Sequence, residues 1–132
     1  MRNVFLLIAL LLVPVCGFGN EEKAEPAGPV IEYVEMSPKF TVNLAEPKKY
    51  LLLTVQLLVE GAENVEKIKK HQPMLRHEMI MMLSGMKVED LQTMEQREAL
   101  RLKVKTLVAD SLAKIENSDG FRDVFFSDFL VN

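Results

Sequence analysis

Tyr50-Leu51-Leu52-Leu53-Thr54-Val55-Gln56-Leu57-Leu58-Val59-Glu60 is the stretch that decides the fold. Read with a period of two, it places Leu51, Leu53, Val55, Leu57 and Val59 on one face. Tyr50, Leu52, Thr54, Gln56, Leu58 and Glu60 fall on the other. One face is wholly apolar and the other mixed, the pattern of a strand in a sheet covered on one side by helices.

The flanks extend the sheet. Upstream, Val30 to Met36 is rich in β-formers, Ser37-Pro38 interrupts it, and Lys39 to Leu44 resumes. A proline has no ladder donor, so this segment is expected at an edge, a bulge or a kink. Ala45-Glu46-Pro47-Lys48-Lys49 reads as a turn. At the other end, Val124-Phe125-Phe126-Ser127-Asp128-Phe129-Leu130-Val131-Asn132 is an aromatic strand expected to be tied into the sheet. Strict alternation puts Phe125, Ser127, Phe129 and Val131 on one face and Val124, Phe126 and Leu130 on the other.

Between the strands the period changes to helical. Val65, Ile68, Gln72, Leu75, Met79, Met82, Leu83 and Met86 form one stripe, with Asn64 offered as the N-cap. Pro73 predicts a kink or a restart within that helix. Thr93-Met94-Glu95-Gln96 fits a capping box for a second helix. Its stripe is Leu100, Val104, Leu107, Val108, Ser111 and Ile115, and a smaller face of Ala99, Leu102, Thr106, Ala109 and Ala113 offers a second contact. Asn117-Ser118-Asp119-Gly120 is expected to end it, with Gly120 at the C-cap. The fold expected is α+β, a small antiparallel-rich sheet with two helices on one face.

The N-terminus sets the compartment. Arg2 precedes a run from Val4 to Phe18 that bears no charge, so residues 1–19 read as a signal peptide or N-terminal membrane anchor. Asn3 to Asn20 would span roughly 27 Å as a helix, just under the ~30 Å hydrocarbon core. Gly17 and Gly19 suit cleavage before Asn20, and Cys16 offers lipidation, although Val15 is not the small residue a lipobox has at that point. Retained anchor, cleaved leader and lipoprotein all deliver the rest of the chain to the outer side of the membrane. Residues 20–29, polar and punctuated by Pro and Gly, read as a flexible linker, leaving 30–132 as one exported domain.

Composition excludes several classes of function. The formal net charge of the 132 residues is −3, with no run of five like charges, so the basic stripe of a nucleic-acid binder is missing. Cys16 is the only cysteine, so the domain forms no disulfide of its own. His71 and His77, the only histidines, project about 120° apart on one helix and are not placed to share a metal. No phosphate-binding loop, nucleophile elbow or metalloprotease motif occurs, and no cofactor or small-molecule substrate is expected. Of the methionines crowded between Met74 and Met94, Met79, Met82 and Met86 lie on the apolar stripe as core. Met74 and Met81 share a different face, beside Lys67, Lys70 and Glu78. Either the second helix covers them or they form an exposed ridge for partner contact. Arg76, at the edge of the stripe, is expected in a salt bridge or helix cap.

The chain resembles the FliL family of flagellar basal-body-associated membrane proteins. The resemblance rests on Tyr33 with Pro38-Lys39-Phe40-Thr41-Val42-Asn43-Leu44, on Tyr50-Leu51, and on Pro73-Met74-Leu75-Arg76 with Leu83-Ser84. Leu100-Arg101 and the closing Val124 to Asn132 complete it, in order and spacing, over residues 30–132. It implies a periplasmic domain similar to the stomatin/prohibitin-type fold, at the inner membrane, self-assembling in rings around flagellar stator units and supporting rotation, motility and chemotaxis. The family's usual members have a cytoplasmic tail and longer anchor, whereas only Met1, Arg2 and Asn3 precede the apolar run here, so the chain looks like a short, leader-only variant. The alternative is a stomatin-like membrane scaffold or lipoprotein with no flagellar role.

Overall fold

The computed structural model describes residues 30–115 and 119–132. The leader, the linker, Cys16 and Asn117-Ser118 lie outside the described residues. Among the described residues, no helix is long and apolar enough to cross a membrane.

The chain forms β1 (Ile31–Glu35), β2 (Phe40–Asn43), β3 (Tyr50–Glu60), α1 (Ala62–Lys70) and α2 (Gln72–Leu83). A 3-10 turn follows at Val88–Leu91, then α3 (Met94–Ile115) and β4 (Phe121–Val131). Every strand pairs antiparallel with β3. β4 runs along almost the full length of β3, from Leu51↔Val131 to Val59↔Phe121. β1 and β2 therefore share the opposite edge, one opposite Gln56–Glu60 and the other opposite Tyr50–Leu53. The two pieces are separated at the cis Ser37–Pro38 bond, where the missing donor does no harm because the segment is an edge.

The core lies on the apolar face of β3. Leu51, Leu53, Val55, Leu57 and Val59 are buried against Val65 and Ile68 of α1, Leu75, Met79 and Leu83 of α2, and Leu100, Val104, Val108 and Leu112 of α3. The helices cover this face only. The structure is α+β with an antiparallel sheet, as expected, but the described residues form three α-helices rather than two. Pro73 is the reason: it stands in the first turn of α2, where its absent N–H is one that a helix start leaves unpaired anyway, so the helix restarts there.

Three local expectations are corrected. Asn64 is not the N-cap of α1; Gly61 is, at φ 95°, a conformation open to glycine. Asn64 lies inside the first turn and donates its amide to the Glu60 carbonyl at 2.9 Å. In α3 Ser111 is buried as expected, but the last buried position is Leu112 while Ile115 is exposed, and Ala99, Leu102, Thr106, Ala109 and Ala113 face solvent. The third correction concerns β4. A register shift opposite Thr54/Val55 leaves Ser127 as an extra residue and reverses the alternation beyond it. Val124, Phe126, Phe129 and Val131 thus lie on the helix side, and Phe125 and Leu130 on the open side. The capping box does form: Thr93 Oγ1 accepts from the Gln96 N–H at 3.1 Å, and Gln96 Oε1 accepts from the Thr93 N–H at 3.0 Å.

Candidate interaction surfaces

The side of the sheet away from the helices is open. Tyr33 and Phe125 meet across it with ring centroids 6.1 Å apart at 58°, both against β3 positions Leu58 and Gln56. Ile31, Leu130 and the half-buried Leu52 and Leu58 extend this apolar area. A polar group sits within it: Thr54, only 3% exposed, donates its hydroxyl to Asp128 Oδ2 at 3.0 Å, and Lys39 Nζ lies 3.2 Å from the same oxygen. The Thr54 hydroxyl, then Lys39, hold the Asp128 carboxyl below its ordinary range. At the end of the sheet, Asn132 donates its side-chain amide to the Tyr50 hydroxyl at 2.8 Å.

A second surface lies on the helices. Met81 is 63% exposed, and Ile80 and Leu102 stand out of the core with it. A shallow groove of about 460 Å³ runs between α2 and α3, lined by Met82, Leu102, Thr106 and Leu107 among others. Met74 behaves differently from Met81. It is half-buried and packs on the core, so the two methionines expected to act together have different surroundings. Among the described residues Arg76 makes neither the salt bridge nor the helix cap expected of it. Its guanidinium lies 4.2 Å from the centre of the Phe40 ring and donates to the Pro38 carbonyl at 2.6 Å, fastening α2 to the break between β1 and β2.

The third surface is the groove between α3 and β4, about 520 Å³, bordered by Met94, Arg97, Arg101, Phe126 and Phe129. Arg101 is held there by Glu98 and Asp123, each at 2.6 Å. The bond to Glu98 is the main cause of a raised guanidinium pKa and of a Glu98 carboxyl held below its usual range. Among the described residues, no three of His, Cys, Asp and Glu gather closely enough to hold a metal ion. The mixed face of Tyr50–Glu60 pointed to a sheet covered on one side, but the aromatic pair on its open face and this groove were not found, because both depend on which edge of β3 each strand takes. The alternation along Tyr33, Leu58 and Leu52 was the available signal.

A family model described as "Flagellar basal body-associated protein FliL" matches residues 33–131, from Tyr33 in β1 to the end of β4. The chain belongs to the FliL family. A "Flagellar protein FliL" from Aquifex aeolicus (strain VF5) is 28% identical over 99 residues, covering 74% of this chain. The matched part is 59% of that relative's length, so the chain spans about three-fifths of it. Membership places this chain among proteins associated with the flagellar basal body.

Proposed function

We propose that this protein is a non-enzymatic accessory of the flagellar basal body, working by protein–protein contact with stator units and with copies of itself. In this reading residues 1–19 deliver or anchor the chain, residues 20–29 are the linker, and residues 30–132 work at the periplasmic side of the inner membrane. A domain similar to the stomatin/prohibitin-type fold belongs to the same reading, as does a contribution to rotation, motility and chemotaxis.

The observation that supports it is the extent of the family match, which runs through every strand and helix of the described chain. Apolar side chains left outside the core, among them Tyr33, Met81 and Leu130, are consistent with contact as the mode of action. The experiment is a deletion strain. Swimming speed in viscous medium should fall more than filament number does, since a sleeve around stators matters most at high load. Unchanged motility in both thin and viscous medium would overturn the flagellar role. Fractionation to the cytoplasm would overturn the placement at the membrane.

A further inference from the structure

The outer edge of β4 is closed at one end and open at the other. Tyr50 and Asn132 exchange both backbone hydrogen bonds, each 3.0 Å. Counting back from that pair, Leu130 and Asp128 point their N–H and C=O groups at β3, and Val131 and Phe129 point theirs outward. Further along, the edge is blocked: the Val124 carbonyl accepts from Arg101 Nη1 at 3.1 Å and the Val124 N–H donates to Asp123 Oδ1 at 2.8 Å. The outward groups of Phe129 and Val131 meet no such partner among the described residues. An edge left bare is a template for another strand, and proteins usually charge or cover it.

Arg97 stands beside this bare stretch. It lines the groove against β4 and also a second one, about 380 Å³, that reaches Val131 and Asn132. Its guanidinium lies 4.4 Å from the centre of the Phe129 ring, and its Nε donates to the Leu91 carbonyl at 3.1 Å. Unlike Arg101, it pairs with no carboxylate among the described residues. A half-buried guanidinium fixed by a ring and a carbonyl, with its terminal nitrogens uncommitted, is a ready receptor for a carboxylate.

We infer that the Phe129–Val131 edge of β4 receives an extended segment of a partner protein that carries a carboxylate. The segment adds as a strand to the outward groups of Phe129 and Val131, and its acidic side chain meets Arg97. Apolar side chains of the same segment pack toward Phe126 and Met94, the latter 86% exposed at the mouth of the groove. Backbone pairing supplies attachment and the charge supplies selectivity, as in other strand-addition complexes. The inference rests on the contact-based reading above and names the chemistry of one partner.

The test is selection of an octapeptide display library on the full chain, with the same library run on Arg97→Gln and Val131→Pro variants. A proline at position 131 removes an outward N–H and leaves the β3 ladder intact. Peptides rich in β-formers with Asp or Glu should be enriched on the wild type. Replacing the acid by its amide should weaken a selected peptide about ten-fold, and Arg97→Gln should erase that difference. Val131→Pro should abolish binding while the thermal midpoint stays within a few degrees. The inference is overturned if no acidic peptide is enriched, or if either variant binds as the wild type does. Dimers of the full chain that vanish in Val131→Pro would assign the edge to a second copy. Tighter peptide binding after deletion of residues 20–29 would assign it to the chain's own acidic stretch. Either outcome refutes a foreign partner. A deletion strain that swims normally refutes the flagellar role and leaves the peptide result untouched.

Discussion

Arg76 on α2 sits over the ring of Phe40 of β2, its guanidinium carbon 4.2 Å from the ring centre, while Phe40 itself is fully buried. The same side chain holds the Pro38 carbonyl at 2.6 Å, so one residue closes both the side and the end of the broken edge strand. Replacing Arg76 by Ala should cost about 1–2 kcal/mol, combining a cation–π contact with a hydrogen bond. Lysine should recover only part of that, because it lacks the flat, forked donor set. Urea unfolding of the three proteins, with m-values compared, checks both statements.

The bulge at Ser127 makes a distinctive prediction about Phe125, Phe126 and Phe129 of β4. Phe126 and Phe129 face the helices with ring centroids 6.1 Å apart, and Phe125 is 38% exposed on the open side. Phe126→Ala and Phe129→Ala should each destabilise by about 2–3 kcal/mol, and Phe125→Ala by about 1, scaled from full burial. Strict alternation would instead group Phe125 with Phe129. Deleting residues 124–132 should abolish cooperative unfolding, since β3 would lose a partner along nearly its whole length and the core would lose Val124.

Met74 and Met81 are separated by a single-site comparison. Met81→Glu should change stability by no more than about 0.5 kcal/mol, as an exposed substitution does. Met74→Glu should destabilise by more than about 1 kcal/mol, because it places a charge against the core. With stability unaltered, reduced speed of a Met81→Glu strain in viscous medium would assign Met81 to a contact. Normal speed would place the contact on another surface.

Acid should weaken the fold through Asp128 and Glu98. Both carboxyls are held below their ordinary range, Asp128 chiefly by the Thr54 hydroxyl and Glu98 chiefly by Arg101. A carboxyl whose pKa is lower folded than unfolded adds stability above its unfolded value. That stability disappears as pH falls through the folded value. The thermal midpoint should therefore be flat near neutrality and decline below about pH 4. Asp128→Asn should shallow the decline, and a variant with an unchanged acid limb would show that the Thr54–Asp128–Lys39 group is not a source of it.

Gly120 and Asn64 predict a coupled pair. A Cβ at Gly120 would overlap the Asn64 side chain, and the Gly120 carbonyl accepts from the Glu60 N–H at 2.8 Å, so the backbone there has little room to move. Gly120→Ala should cost about 1–3 kcal/mol, as overpacking does. In an Asn64→Gly background, which removes the overlapping Cβ together with the amide, the same substitution should cost clearly less, and a double-mutant cycle on unfolding free energy reads the coupling.

Periodicity determined a good deal of this protein. The two faces of Tyr50–Glu60, the apolar stripes through Leu75 and Met79 and through Leu100 and Val104, and the Thr93/Gln96 cap were legible, because each depends on residues within a turn or a pleat of one another. So was the family, whose spaced residues run from Tyr33 to Val131. What lay beyond reach depended on partners distant in sequence. The bulge in β4 is fixed by how the strand closes against Thr54 and Val55, and it reversed the faces of Phe129 and Val131. Met74 and Met81 share a helical face, yet only packing made one half-buried and the other exposed. Arg97 gave no sign in the sequence of standing beside an open strand edge. Local pattern sets which way a side chain points from its own element. Whether anything lies in that direction is decided by the rest of the fold.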